Sequence, residues 1–215
     1  MPQDSVFDAV ERLHRDLEEV HAILAGPDAS VRLVLTPESM VVAEARRSLT
    51  TLSLFGYRVD GVVANRIFPD GGADAWREQW VSAQQVVMKE VEVSFAHIPI
   101  WRSPYRPSEP VGVEELAAFA DAAYVDDDPL AKPDGDGPMT IQRTDSGTTL
   151  SIALPFVAKT DVDLGRHGAD LVVTVGSYRR LLALPAALEK QVIAGARMDD
   201  GSLQVRFRDD VKEAE

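Results

Sequence analysis

The stretch VRLVLTPESMVVAEARRSLTTLSLFGYRVDGVVANRIFPD, residues 31–70, decides the fold of this chain. Its first five residues form a short apolar run, which predicts a strand. Thr36, Pro37 and Glu38 then offer an N-cap, a proline at the first helical position and an acidic first turn, so a helix follows directly. We expect this helix to stop near Gly56 and residues 59–68 to form a second, buried strand. Strands joined by a helix in this way predict a parallel sheet.

Amphipathic segments extend this pattern in both directions. Apolar residues recur at helical spacing over residues 6–24, which predicts a helix before the first strand. Residues 73–93 repeat the helical spacing, residues 97–100 are short and apolar enough for a third strand, and residues 112–124 predict a last helix. The front of the chain therefore has the α/β class, with three parallel strands and flanking helices.

The composition changes after residue 125. Residues 126–138 are rich in Asp, Pro and Gly, a composition that does not pack regularly, and we interpret them as an acidic linker. Short alternating runs separated by Gly-containing turns follow, which is typical of a small antiparallel β-sandwich. We therefore expect an α/β domain over 1–125, a sandwich over 139–209 and a frayed tail over 210–215.

Charge and cysteine content exclude several functions. The chain has 22 Lys+Arg against 35 Asp+Glu, a formal charge of -13, which opposes binding to nucleic acid and to anionic membranes. Cysteine is absent, so disulfides, thiolate nucleophiles and Cys-based zinc sites are excluded. No apolar run is long enough to insert into a membrane, and the N-terminus is not a signal peptide. We expect a cytoplasmic protein.

The sequence contains none of the common catalytic or metal-binding motifs. No Gly-Lys dipeptide occurs, so there is no P-loop to hold nucleotide phosphates. His14 and His21 are two turns apart on one predicted helix, about 10.5 Å, too far to share a metal ion. We predict no metal site and no catalytic residue in this chain.

Asn65 and Arg66 are the first candidate binding residues, because they end the predicted buried strand. Ligands of open α/β sheets bind at the carboxyl ends of the strands. An Asn amide can both donate to and accept from a purine edge. The alternative is that Asn65 only satisfies backbone amides of its own loop.

A proline-rich loop over residues 99–110 is the second candidate. Its aromatic and cationic residues are Trp101, Arg102, Tyr105 and Arg106. A stiff backbone carrying aromatic rings would make a wall for an adenine ring. The alternative is an ordinary tethered connector.

Residues 31–70, with HIPI and SEPVGVEEL further on, resemble the ArsA family of ATPases, which includes arsenical-pump motors and ATPases that deliver tail-anchored membrane proteins. The resemblance rests on the strand–Thr-Pro-Glu–helix unit, the Leu-x-x-x-Gly-Tyr-x-Val-Asp segment and the Asn-Arg strand end. It covers residues 1–125 and corresponds to the carboxyl part of that ATPase domain. Segments after residue 147 resemble the α-crystallin-like sandwich of small heat-shock proteins, which some bacterial ArsA-like ATPases carry.

The resemblance implies a partial P-loop-NTPase-type sheet followed by an α-crystallin-like sandwich. It implies that Asn65 contacts adenine, that its neighbour Arg66 belongs to the same cofactor-binding site, and that the backbone around Pro99, Ile100 and Trp101 lines the base pocket. The family's Cys-based metalloid and zinc sites have no counterpart here, so arsenite pumping and zinc-clamped dimerisation lose support.

The family's P-loop, its two lysines and its magnesium-holding loops have no counterpart in this sequence. ATP and Mg are therefore expected only together with an upstream P-loop segment or chain, and the isolated chain is expected to be inactive. Either this is the carboxyl-terminal fragment of a longer ATPase, or it is one chain of a split enzyme. A homodimer and a hydrophobic client protein are further possible partners. The rival reading is a non-enzymatic module that binds clients or partners.

Overall fold

The computed structural model describes residues 4–71, 74–125, 127–133, 135–144 and 147–209. The predicted tail, residues 210–215, and the predicted helix start at Ala73 lie outside the described residues.

Helices and strands alternate in the first part of the chain. The elements are α1 Asp4–Leu24, β1 Val31–Leu35, α2 Ser39–Leu54, β2 Val59–Ile67, α3 Ala75–Ser94, β3 Ile100–Pro104 and α4 Val113–Tyr124. The three strands form a parallel sheet in the order β1-β2-β3, with Leu35 paired to Ala64 and Val63 paired to Trp101. Residues 61–64 of the central strand are all buried, so the prediction of a parallel sheet with a buried second strand is confirmed.

The prediction for α2 is wrong at its start and confirmed at its end. The helix begins at Ser39 with Glu38 as N-cap, while the Thr36 hydroxyl donates to the Glu38 carboxylate at 3.0 Å instead of capping the helix. At the other end Gly56 has φ +83°, and the N–H groups of Gly56 and Tyr57 donate to carbonyls of the last turn at 3.0 and 2.9 Å. This is a Schellman ending, which needs a residue that tolerates the left-handed conformation.

The third strand runs over Ile100–Pro104, not over residues 97–100 as predicted. Trp101 and Ser103 are buried and Arg102 is exposed, which is the alternation of an edge strand with one face on the core. The sequence prediction followed the apolar residues before Trp101 and assigned the polar and proline-containing residues after it to a loop. The strand therefore ends four residues further along the chain.

The second part of the chain is an antiparallel sandwich, as predicted. Its strands are β4 Met139–Thr144, β5 Gly147–Ala153, β6 Val162–His167, β7 Asp170–Val175, β8 Tyr178–Ala183, β9 Gln191–Asp199 and β10 Ser202–Asp209, with the short helix α5 Ala186–Glu189 before β9. One sheet has the order β4-β5-β10-β9 and the other has the order β6-β7-β8. Side chains from both sheets form one apolar core.

The sandwich packs against the amino edge of the parallel sheet, where α2 ends just before β2 begins. Leu54, at the end of α2, is 1% exposed and belongs to the sandwich core. The Arg180 guanidinium donates to the Leu54 carbonyl at 2.6 Å and lies over the Phe55 ring at 5.3 Å. Burial lowers the pKa of Arg180 from its ordinary value. The Thr50 hydroxyl donates to the Pro155 carbonyl at 2.6 Å, so the two parts share a packed interface.

The described part of the predicted linker is attached to the α/β part along residues 127–133. Its contacts include Trp101 Nε1 to Asp127 Oδ2 at 2.8 Å, Arg32 Nη2 to Pro129 O at 2.7 Å, Lys132 Nζ to Asp28 Oδ1 at 2.8 Å, and Arg58 Nη1 to Pro133 O at 3.1 Å. Residues 127–133 therefore lie against the α/β part of the molecule.

α1 and the outer edge of β1 present apolar surface to solvent. The apolar residues of α1 that were predicted to form one face are all about half exposed or more; they are Val6, Phe7, Val10, Leu13, Leu17, Val20 and Leu24. Val34 of β1 is 64% exposed, and β1 pairs only with β2 among the described strands. No helix in the described ranges combines the length and the apolar character that crossing a membrane requires.

Candidate functional site

A cavity of about 960 Å³ opens at the carboxyl edge of the parallel sheet. It lies between the end of β2, the first turn of α3 and the loop after β3. Asn65 and Arg66 line it, and so do Tyr105 and Arg106 of the second candidate loop. The structure therefore brings both carboxyl-edge candidates of the sequence analysis to one cavity.

Asn65 and Arg66 form a β-bulge near the end of β2, where the register with β3 shifts between Ala64 and Ile67; we call this bulge the Asn65 turn. Arg66 has φ +59°, a left-handed conformation that non-glycine residues adopt mostly in turns and at functional sites. The Asn65 Oδ1 accepts the Arg66 backbone N–H at 2.9 Å. The alternative interpretation, that Asn65 satisfies a backbone amide of its own loop, therefore agrees with the structure. Because that N–H needs an acceptor, the amide orientation is fixed, and Asn65 Nδ2 remains as a donor for a ligand.

Gln84 is a buried polar residue of α3 that the sequence analysis missed. Its Oε1 accepts the Phe68 N–H at 2.9 Å and its Nε2 donates to the Arg66 carbonyl at 3.1 Å. Both atoms of this one amide thus satisfy backbone groups at the end of β2, one within the strand and one just after it. A polar residue in the middle of a helix normally indicates a solvent-facing position, and no sequence motif marks Gln84 as an exception.

Aromatic rings build one wall of the cavity. The Phe68 and Tyr105 rings stack at 5.2 Å with an interplanar angle of 15°. Trp80 lies 6.3 Å from Phe68 and Trp76 lies 6.0 Å from Trp80, so four rings form a continuous row. Trp76 and Trp80 are both exposed. A row of exposed rings of this kind offers flat faces on which a base can stack.

Three guanidinium groups line the cavity of this acidic chain. Arg66, Arg77 and Arg106 line it, together with the carboxylates of Asp74 and Glu109. Within the described residues the Arg77 Nε is buried without a hydrogen-bond partner. Arg106 is paired with a carboxylate of α4 at 3.0 Å. The cavity therefore offers cationic donors as well as apolar faces, a combination suited to an aromatic ligand with acceptor atoms.

Pro99, Ile100 and Trp101 do not join this cavity. Ile100 and Trp101 begin β3 and pair with Val62 and Val63, so they lie toward the amino edge of the sheet, away from the Asn65 turn. The reason is that the strand ends four residues later than predicted, so the loop that leaves the carboxyl edge begins after Pro104. Residues 99–101 are therefore separated from the two other sequence candidates.

Trp101 has a structural environment of its own. Its ring is buried, its Nε1 donates to Asp127 at 2.8 Å, and the Arg32 guanidinium lies 4.4 Å from the ring centroid. The Asp60 carboxylate accepts from Arg32 at 2.7 Å and raises the pKa of that guanidinium. Arg102 pairs with Glu92 at 2.6 Å. The bond from Trp101 to Asp127 holds the linker segment on the sheet.

No group of three or more His, Asp or Glu side chains in the described ranges is placed to hold a metal ion. The cavity therefore offers its contacts through amides, guanidinium groups and aromatic rings.

Comparison with known families gives two matches. Residues 1–125 match the family described as anion-transporting ATPase, and residues 145–207 match the HSP20-like domain found in ArsA. The first match covers the parallel sheet and its helices, and the second covers most of the sandwich.

Three relatives illustrate the similarity. The chain is 31% identical over 193 residues to a protein of Aquifex aeolicus named "Putative arsenical pump-driving ATPase 1", covering 87% of this chain and 49% of that protein. A Chlorobaculum tepidum protein of similar name is 29% identical, covering 96% of this chain and 51% of the relative. An uncharacterized Streptomyces coelicolor protein is 32% identical, covering 98% and 53%. The chain thus spans about half the length of the curated relatives it matches.

Proposed function

Because this chain belongs to the anion-transporting ATPase family, we propose that it supplies the base side of an ATP site, while a P-loop segment or chain supplies the phosphate side. The observation that carries the proposal is the cavity at the carboxyl edge of β2 and β3. Asn65, whose Nδ2 is not used by the Arg66 N–H, lines this cavity together with the stacked Phe68 and Tyr105 rings. Adenine has ring-nitrogen acceptors for such a donor and a flat face for such a wall.

Phosphoryl transfer needs positioned charges around the phosphates. This sequence has no Gly-Lys dipeptide, and the lysine and backbone amides of a P-loop therefore have to come from elsewhere. We expect no ATP hydrolysis by this chain alone, and at most millimolar affinity for ATP. ATP and Mg would bind tightly only when the phosphate-binding segment is present.

The exposed edge of β1 and the apolar face of α1 are the surfaces on which that segment would dock. An unpaired parallel strand presents N–H and C=O groups that a further strand can bond. The apolar residues of α1 would be covered in the same step, since seven half-exposed apolar side chains on one helix form an unusually large apolar patch. The curated relatives are about twice as long as this chain, which leaves ample length for such a segment.

The sandwich would act in the same assembly as a chaperone-like domain. The rival function, a non-enzymatic module that binds apolar client segments, is favoured by one observation, the exposed apolar face of α1. Suppression of client aggregation without nucleotide, lost when Leu13 and Leu17 are replaced by Ser, would support the rival. Phosphate release on mixing this chain with a P-loop chain would support the ATPase.

The base site can be tested on this chain by NMR titration with adenosine. The three tryptophan indole N–H signals are reporters: Trp76 lines the cavity, Trp80 adjoins it, and Trp101 lies toward the other edge as an internal control. We expect adenosine to shift the signals of Trp76 and Trp80 and leave that of Trp101 unchanged.

The variant Asn65→Asp isolates the amide donor. It keeps the oxygen that accepts the Arg66 N–H and removes the Nδ2 donor, so we expect the turn to persist and adenosine binding to weaken. Asn65→Ala is the control that removes both. Unchanged adenosine shifts in Asn65→Asp would show that the amide does not contact the base.

A further inference from the structure

Gln84 connects α3 to the turn at the carboxyl end of β2. The residue is 8% exposed, and each polar atom of its side-chain amide has a hydrogen-bond partner, as buried polar groups normally do. Its Oε1 and Nε2 bond Phe68 N and Arg66 O, at 2.9 and 3.1 Å. One side chain of α3 therefore holds the chain on both sides of Ile67.

The turn that Gln84 holds is in an unfavourable conformation. Arg66 has φ +59°, and such a conformation persists only when its surroundings determine it. Three hydrogen bonds do so: the two from Gln84 and the one from the Arg66 N–H to Asn65 Oδ1. A fourth, from the Tyr105 N–H to the Ile67 carbonyl at 2.7 Å, ties the aromatic wall to the same turn.

We propose that Gln84 is a positioning residue of the base site. It fixes the left-handed backbone conformation at Arg66. That conformation sets the direction of the Asn65 amide and the distance between Asn65 and the Tyr105 ring. This inference rests on the proposed base site. Gln84 itself is not a ligand contact, since both of its polar side-chain atoms are engaged with the backbone.

Two substitutions separate the two bonds of Gln84. Gln84→Leu removes both and leaves buried backbone groups unpaired. Gln84→Glu keeps the acceptor for Phe68 N–H and removes the donor to the Arg66 carbonyl. Gln85→Leu is the matched control: Gln85 is the exposed neighbour, and its amide makes only a long 3.4 Å contact to Asp70.

A stability control distinguishes positioning from general weakening of the fold. Val91 lies two turns along α3, is fully buried and packs in the core of the α/β part. Val91→Ala therefore destabilises the same helix without touching the turn. A purely structural role for Gln84 predicts that Gln84→Leu and Val91→Ala affect adenosine binding equally at equal loss of stability.

The experiment is the adenosine titration followed through the Trp76 signal, with urea unfolding of each variant. We expect adenosine affinity to fall about tenfold in Gln84→Leu, which corresponds to 1.4 kcal/mol. Gln84→Glu should lie between it and the unaltered chain, whereas Val91→Ala and Gln85→Leu should bind as the unaltered chain does. If Gln84→Leu does not fold, the comparison of Gln84→Glu with Val91→Ala decides.

Each failure has its own signature. If the unaltered chain shows no adenosine shift at Trp76, the base site is refuted and the role of Gln84 falls with it. If the unaltered chain binds and the Gln84 variants bind equally well, or no more weakly than Val91→Ala, only the positioning role is refuted.

Discussion

Replacing Leu54 by Ala should loosen the sandwich, although Leu54 belongs to the α/β part of the sequence. Its side chain is 1% exposed and lies in the same apolar core as Leu203 and Val205 of β10. Leu49, five residues earlier on α2, is 4% exposed but lies in the core of the α/β part. Leu49→Ala is thus a control on the same helix with the same chemical change.

The magnitude follows from the side chain. Leu→Ala deletes three carbon atoms, about 2.4 kcal/mol at roughly 0.8 kcal/mol for each buried group. The cavity that remains raises this to about 3 kcal/mol, within the usual range of about 2 to 5 kcal/mol. Both variants should lose about the same amount, but in different parts of the molecule.

Amide hydrogen exchange measured by NMR resolves where the loss occurs. We expect Leu54→Ala to lower the protection of the Val205 amide by about 3 kcal/mol. Leu49→Ala should lower the protection of the Val62 amide in β2 instead. An unchanged Val205 amide in Leu54→Ala would refute the assignment of Leu54 to the sandwich core.

Three further substitutions test other contacts. Gly61→Ala should destabilise the protein by about 1 to 3 kcal/mol in urea unfolding, because a Cβ there would lie 2.4 Å from the Trp101 ring. Gly165→Ala is the control and should not destabilise the protein, because the atom nearest to its Cβ would lie 3.8 Å away. Trp101→Phe should cost about 1 to 2 kcal/mol because it removes the indole donor to a carboxylate; an unchanged urea midpoint would contradict this. A hydrogen bond from Lys132 lowers the pKa of Asp28 below its ordinary value of 3.8. The contribution of this pair to folding stability is therefore present above pH 3.8 and is lost as the pH falls through the lowered pKa. Lys132→Met should return the pKa to its ordinary value in a carbon NMR titration, and a pKa that stays low would identify another cause.

The central elements were predictable because their signals are local. β1 is an apolar run that ends before Thr36-Pro37, and its predicted bounds agree with the structure. β2 ends one residue before its predicted end. Gly56 marks the end of α2 because only a residue tolerant of positive φ fits the Schellman turn. The family resemblance is confirmed as well, whereas the domain limits at residues 125 and 138 stay predictions.

The third strand and the site were harder to predict because they depend on contacts distant in sequence. The alternation of Trp101, Arg102 and Ser103 is that of an edge strand, but a proline follows it and the more apolar residues precede it. That shift carried the predicted base-pocket residues 99–101 away from Asn65. Gln84 gives no sequence signal, because its burial depends on backbone groups of a turn that only the folded chain brings beside it.

The placement of Leu54 also matters to anyone who wishes to produce the two halves separately. Cutting the chain at residue 138 would remove the Leu54 side chain from the sandwich core. It would leave Leu54 exposed at the end of α2 and a cavity in the sandwich. Both pieces would then expose apolar surface that is buried in the intact chain, and aggregation of either piece would say little about the intact molecule. A sandwich supplied with the Ser39–Leu54 helix, or the undivided chain, is the sounder starting material.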